Sequence, residues 1–221
     1  MATIKKGVLG GLSGKVGNVI GGKVRGTDYL RSLPTGNTNA NTILQQAQRA
    51  KFATVINFLK PMRDIVRIGF KPEAGRNSGF NAAMSYNFHH ALVGDFDTGF
   101  AIDFVKALIA SGDLPSVEGA TLASTVARQI DLTWDNNATE ALAGEQDALY
   151  LGVFNSEEGI GLSRINYAQR VDGALSVLLP PSYSGETVHC FAGFFGSQYA
   201  VSSPTLQMVS RSVYIGSVVV A

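Results

Sequence analysis

Seven short segments with a two-residue hydrophobic period occupy the chain from about Val117 onward, and no other feature restricts the fold as tightly. Ile130, Leu132 and Trp134 alternate with Gln129, Asp131 and Thr133 before Asp135-Asn136-Asn137 closes the run. Leu149, Leu151 and Val153 repeat the pattern, as do Leu162 and Ile165, then Leu175, Val177 and Leu179 before Pro180-Pro181. Val188, Cys190 and Ala192 form a further row, and Val213 with Ile215 ends the set. A period of two puts each apolar row on one face of a strand, and the turn residues between rows allow antiparallel pairing. Many short strands bounded by turns describe an antiparallel sandwich.

Trp134 near the end of the second strand and the Leu178-Leu179-Pro180-Pro181 corner before the sixth give this part a resemblance to fibronectin-type-III and immunoglobulin-like modules. Val188 stands where such modules often place a tyrosine. The expected fold class is α+β, mostly β: an N-terminal glycine-rich arm, a hairpin and helices, then the sandwich. The expected boundary separates residues 1–115 from residues 116–221.

The front of the chain has a different character. Residues 7–26 contain eight glycines, and residues 1–14 read as a flexible arm that needs a partner surface to become ordered. Residues 15–20 and 23–33 read as two strands, with Gly21-Gly22 as a two-residue hairpin turn. Two strands alone are marginal in water, so this hairpin is expected to add to another sheet. After the polar link 35–41, Asn41 or Thr42 can cap a helix with the buried stripe Ile43, Ala47, Ala50, Thr54 and Phe58, widened by Phe52, Val55, Ile56 and Leu59. Pro61 breaks or restarts that helix, which continues to Gly69 with Arg49, Lys51, Lys60, Arg63 and Arg67 on its polar side. A loop over 71–79 leads to a helix over 80–92, and residues 100–111 read as a strand.

The formal net charge of +1 conceals a division along the chain. Residues 1–72 hold twelve basic and two acidic side chains, a net of +10; the rest hold six basic and fifteen acidic, a net of −9. Such polarity steers the basic part toward an acidic partner, either nucleic acid or the acidic half of another copy.

With 221 residues, 45 % of them hydrophobic, the chain can bury a substantial core. Its apolar runs fall short of the roughly 20 residues of a membrane helix, and its start lacks the apolar core of a signal peptide. A virion or cytoplasmic location is expected, with no membrane partner. Cys190, the single cysteine, excludes an internal disulfide framework and a cysteine-based zinc cluster.

The motifs that invite chemistry give way to plainer readings. Gly10-Gly11-Leu12-Ser13-Gly14-Lys15-Val16 is one residue short of a phosphate loop and has Val16 in place of the hydroxyl residue that binds magnesium. Asp97-Thr98-Gly99 matches the aspartic-protease triplet, yet the same residues are ordinary turn chemistry. Asp95 and Asp97 suggest the start of a calcium loop, but Lys106 replaces the bidentate glutamate. His89 and His90 diverge on a helix, while alternation buries Cys190 and turns His189 to the opposite face. No cofactor or metal site is expected, and the chain is expected not to be an enzyme.

Gly14-Lys15-Val16-Gly17-Asn18-Val19-Ile20-Gly21, Lys23-Val24-Arg25-Gly26, Tyr29-Leu30-Arg31-Ser32-Leu33-Pro34 and Gln48-Arg49-Ala50-Lys51-Phe52 resemble an uncharacterised Bacteroidetes family that begins with this hairpin, an Arg-Ser-x-Pro exit and a Gln-Arg-x-x-Phe helix. A similar order occurs in structural-region proteins of tailed phages, whose Gln-x-x-x-Arg-x-x-Phe helix maps onto Gln45, Arg49 and Phe52. Neither resemblance supplies a catalytic residue. Together with the charge division it implies a structural protein of a phage or phage-derived particle, binding other copies of itself or other virion proteins. The candidate partner-binding residues are Lys15, Lys23, Arg25, Tyr29, Arg31, Arg49, Lys51 and Arg63. Nucleic-acid binding through the same region is the alternative.

Overall fold

The computed structural model describes residues 3–4, 10–34, 41–71, 74–75, 77–196 and 208–221. Most of the expected glycine-rich arm and the polar link over 35–40 lie outside the described residues. By its internal contacts the chain divides into Met1–Thr42 and Ile43–Ala221.

The first unit is a four-stranded antiparallel meander: β1 (Thr3–Ile4), β2 (Leu12–Val16), β3 (Val19–Val24) and β4 (Thr27–Ser32). The expected turn at Gly21-Gly22 is corrected, because both glycines lie inside β3, opposite Leu30 and Tyr29. The chain reverses instead at Gly17-Asn18 and at Arg25-Gly26, where Arg25 (φ 48°) and Gly26 (φ 88°) are both left-handed, as a two-residue hairpin turn of the primed type requires. Gly21 is a glycine because a side chain there would run into the Leu12 carbonyl, and the Tyr29 hydroxyl stands where a Gly22 side chain would go.

The second unit opens with α1 (Ile43–Leu59), α2 (Arg63–Gly69) and α3 (Gly79–His90). Pro61 separates the first two as expected, and Ser78 caps the third by accepting the Asn81 N–H. The expected stripe of α1 is buried only at its C-terminal end, through Val55, Phe58 and Leu59. Ile43, Leu44, Phe52 and Ile56 stay exposed.

A short hairpin follows, β5 (Leu92–Asp95) and β6 (Gly99–Ile102). The strand expected over 100–111 stops at Ile102. Beyond it, residues 107–110 are buried without joining a ladder, because side chains take their backbone groups. Asn87 grips Leu108 from both sides: Nδ2 donates to the Leu108 carbonyl (2.8 Å) and Oδ1 accepts the Leu108 N–H (3.0 Å). Ser212 Oγ accepts the Ile109 N–H, and the Gly69 carbonyl accepts the Ser111 N–H.

The sandwich is then built from β7 (Glu118–Ala123), β8 (Gln129–Asp135), β9 (Ala148–Asn155), β10 (Ile160–Gln169), β11 (Ala174–Leu178), β12 (Thr187–Phe195) and β13 (Val213–Val219). One sheet has the order β11-β8-β7 and the other β10-β9-β12-β13, all antiparallel, so the fold is the expected mostly-β sandwich with a few helices. Ile130, Leu132 and Trp134 meet Leu149, Leu151, Val153, Val188, Cys190, Ala192 and Phe194 between the sheets. The opposite faces of β9 and β12 are also buried, since Tyr150, Phe154, Phe191 and Phe195 pack against Val55, Phe58, Leu59, Met62, Ile65 and Val66. The four-stranded sheet is thus the middle of three layers, with the helices on one side and β11-β8-β7 on the other. A side chain on Gly152 would come within 2.8 Å of the Met62 sulfur, and one on Gly161 within 2.7 Å of Pro61, so these glycines seat the α1–α2 corner against the sheet. The boundary expected near residue 115 therefore falls inside the second unit.

Candidate docking surface

The first unit carries five of the candidate residues on a sheet with almost no core. Gly21 is the single buried residue among its described ones, while Val16, Val19, Val24, Tyr29 and Leu30 are exposed. Residues directly opposite in adjacent strands share a face. Lys15 lies opposite Ile20, and Ile20 opposite Arg31; Tyr29, two residues before Arg31, shares that face. Lys23 lies on the other face opposite Asp28, and Arg25 occupies the β3–β4 turn. The structure brings Lys15, Tyr29 and Arg31 together and sets Lys23 apart. All six residues of β4 are exposed, and among the described residues one edge of this strand has no neighbour in the sheet.

The other three candidates lie on α1 and α2. Lys51 is half-buried, its ammonium 5.3 Å from the centre of the Phe100 ring, so part of its interaction capacity is spent within the chain. Arg49 borders the exposed face formed by Leu44, Phe52 and Ile56. Arg63 joins Lys60 and Arg67 in a concavity of about 430 Å³ whose other lining residues are Ile56, Ser78, Phe80 and Asn81. Pro61 creates this shape by breaking the helix between Lys60 and Arg63. Gly79 closes the far side: a Cβ there would lie 2.7 Å from the Arg67 carbonyl oxygen, so only glycine lets the start of α3 come so near α2. None of the described lining residues is acidic.

A third feature escaped sequence reasoning. Arg170 is completely buried, with Nε and Nη2 each 3.2 Å from Asp147 Oδ2. Its Nη1 donates to Asn137 Oδ1 and its Nη2 to the Pro115 carbonyl, while the guanidinium covers the Phe194 ring at 3.9 Å. Burial pulls its pKa down, and the carboxylate of Asp147 opposes that shift. The network ties down both ends of the segment over 136–147. Asn137 Nδ2 also donates to Glu140, and the Gly144 N–H donates to Asp147. At the tip, Leu142 is 58 % exposed and left-handed (φ 72°). Asp147 and Arg170 are 23 residues apart, one just before β9 and the other just after β10, and no sequence spacing announces such a pair.

The residues tested for chemistry have structural employment. Asp95 Oδ1 accepts the Asp97 and Thr98 N–H groups and the Thr98 hydroxyl, so Asp97-Thr98-Gly99 closes the β5–β6 turn. Cys190 is buried between the sheets, and that burial pushes its thiol up to about 12. His189 is half-buried on the same face of β12 as Phe191, stacked on Phe104. Among the described residues no three His, Cys, Asp or Glu side chains converge on a possible metal position, and no helix is long and apolar enough to cross a membrane.

Two solved structures resemble parts of the chain. The fibronectin type III domain of the human collagen α-1(XX) chain is 13 % identical over 51 % of this chain and 90 % of its own, with a TM-score of 0.35. That of human contactin 1 is 10 % identical over 46 % and 79 %, with a TM-score of 0.30. No curated protein sequence matches. Residues 11–216, which take in β2 through most of β13, match the family of unknown function DUF6266, and the chain belongs to that family.

Proposed function

We propose that this chain is a non-enzymatic structural subunit of a phage virion or phage-derived particle, docking through its basic, glycine-rich N-terminal region. The observation that carries this reading is the sheet β1–β4, a small meander in which no described side chain is fully buried. A sheet gains stability by covering an apolar face, and an open edge strand offers unpaired N–H and C=O groups to a neighbour. Strand addition along β4 pairs those edge groups, and the partner's adjoining surface covers the face. Lys15, Arg31 and Arg25 then bias the contact toward an acidic surface, such as the sandwich half of another subunit. The partners are other copies of the chain or other virion proteins, in the virion or in the cytoplasm before assembly.

Removing residues 1–33 tests the reading by light scattering. The full chain forms particles larger than a monomer and the truncated chain does not; unchanged assembly after truncation rejects the docking role. The common face of Lys15, Tyr29 and Arg31 favours a second reading, single-stranded nucleic acid stacked on Tyr29. Electrophoretic binding across a salt series separates the two, since phosphate contacts make affinity fall steeply with salt.

A further inference from the structure

We propose that the loop over 136–147 of one copy docks into the Lys60–Arg63–Arg67 concavity of a second copy. This deepens the assembly reading by naming the partner and both halves of a contact, and it rests on that reading.

The loop has the build of a docking element. It is irregular, yet fixed at its base by the buried Arg170–Asp147 pair and by Asn137, so its tip is held before any partner arrives. Its tip residue Leu142 belongs to neither hydrophobic core, is 58 % exposed and occupies a left-handed conformation that leucine rarely adopts. The Ala143 N–H donates to the Glu140 carbonyl (3.1 Å), so Leu142 is the third residue of a turn, the position that takes a positive φ, and its side chain stands exposed at the tip. Glu140 and Glu145, both exposed, flank Leu142, and the segment over 138–147 contains no lysine or arginine.

The concavity is the complement. It offers Ile56 and Phe80 to an apolar side chain and Lys60, Arg63 and Arg67 to carboxylates, with no acidic residue in its described lining. Two concavities facing each other would set three cations against three, so a symmetric contact through this surface is disfavoured. A loop-to-concavity contact is head-to-tail, and such contacts propagate into a ring or a filament.

Complementation between two variants provides the test. Lys60→Glu/Arg63→Glu/Arg67→Glu disables the concavity and leaves the loop. Leu142→Gly disables the loop and leaves the concavity. Glycine also suits the left-handed position, so this variant melts at a higher temperature than the parent if folding alone is affected. Sedimentation velocity over a concentration series is expected to show parent oligomers, with association weakened at least about tenfold in each variant, as loss of a buried leucine contact implies. The equimolar mixture regains association that neither variant shows alone, because every unlike pair holds one working loop-to-concavity contact. A monomeric parent, variants that associate like the parent, or a mixture that stays monomeric overturns the proposal. If truncation of residues 1–33 abolishes association while these variants do not, this contact is rejected and the N-terminal docking stands. The reverse result rejects the N-terminal docking and keeps this contact.

Discussion

His189 shows how a single side chain records the layer above it. Its ring stacks on Phe104 with centroids 3.8 Å apart, and Nδ1 lies 2.9 Å from the Tyr214 hydroxyl. Partial burial holds its pKa below the ordinary value of 6.5, since lost hydration disfavours the imidazolium. The unfolded chain therefore takes up this proton more readily than the folded one. The stability in question is intact above 6.5 and is lost as pH falls below that value toward the folded pKa. Melting followed by circular dichroism from about pH 7.5 to about pH 5 is expected to show a decline that His189→Gln reduces. Equal slopes in both proteins would remove His189 as the cause. Alternation in the sequence separated His189 from Cys190 correctly. What it could not reveal is that the far face of β12 is covered by helices, because a period of two tells one side of a strand from the other and not what lies on each.

The loop over 136–147 makes the same point for an element. Its shape depends on one buried ion pair that joins its own end, just before β9, to the turn just after β10, and breaking such a pair leaves a carboxylate stranded in the interior. Arg170→Met is expected to lower stability by about 3–5 kcal/mol, with part of the loss recovered when Asp147→Asn is added, as urea denaturation would show. A cost near zero for the single change would mean that Arg170 does not brace the loop. The strands of the sandwich were legible because each carries its own apolar row and turn. The N-terminal hairpins were misplaced because Gly-Gly suits a turn and also a strand that a neighbouring backbone approaches closely; only the positions of the Leu12 carbonyl and Tyr29 decide between them. Residues 107–110 read as a strand for a related reason. Their pattern is apolar, but Asn87 and Ser212 take the hydrogen bonds a ladder would have used.

At the scale of the molecule, the helices and the sandwich are one body because β9 and β12 present large side chains on both faces. The two-residue period that begins near Val117 suggests a border between the helical region and the sandwich, whereas packing follows Phe58, Tyr150 and Phe191 across it. The meander of β1–β4 stands apart in its energetics. A segment that shelters so little carbon from water releases little heat capacity when it comes undone. Hydrogen–deuterium exchange on the isolated protein should therefore find the β2–β4 amides trading protons early and those of β9 and β12 last. Whatever slows the former without touching the latter is the meander's missing cover.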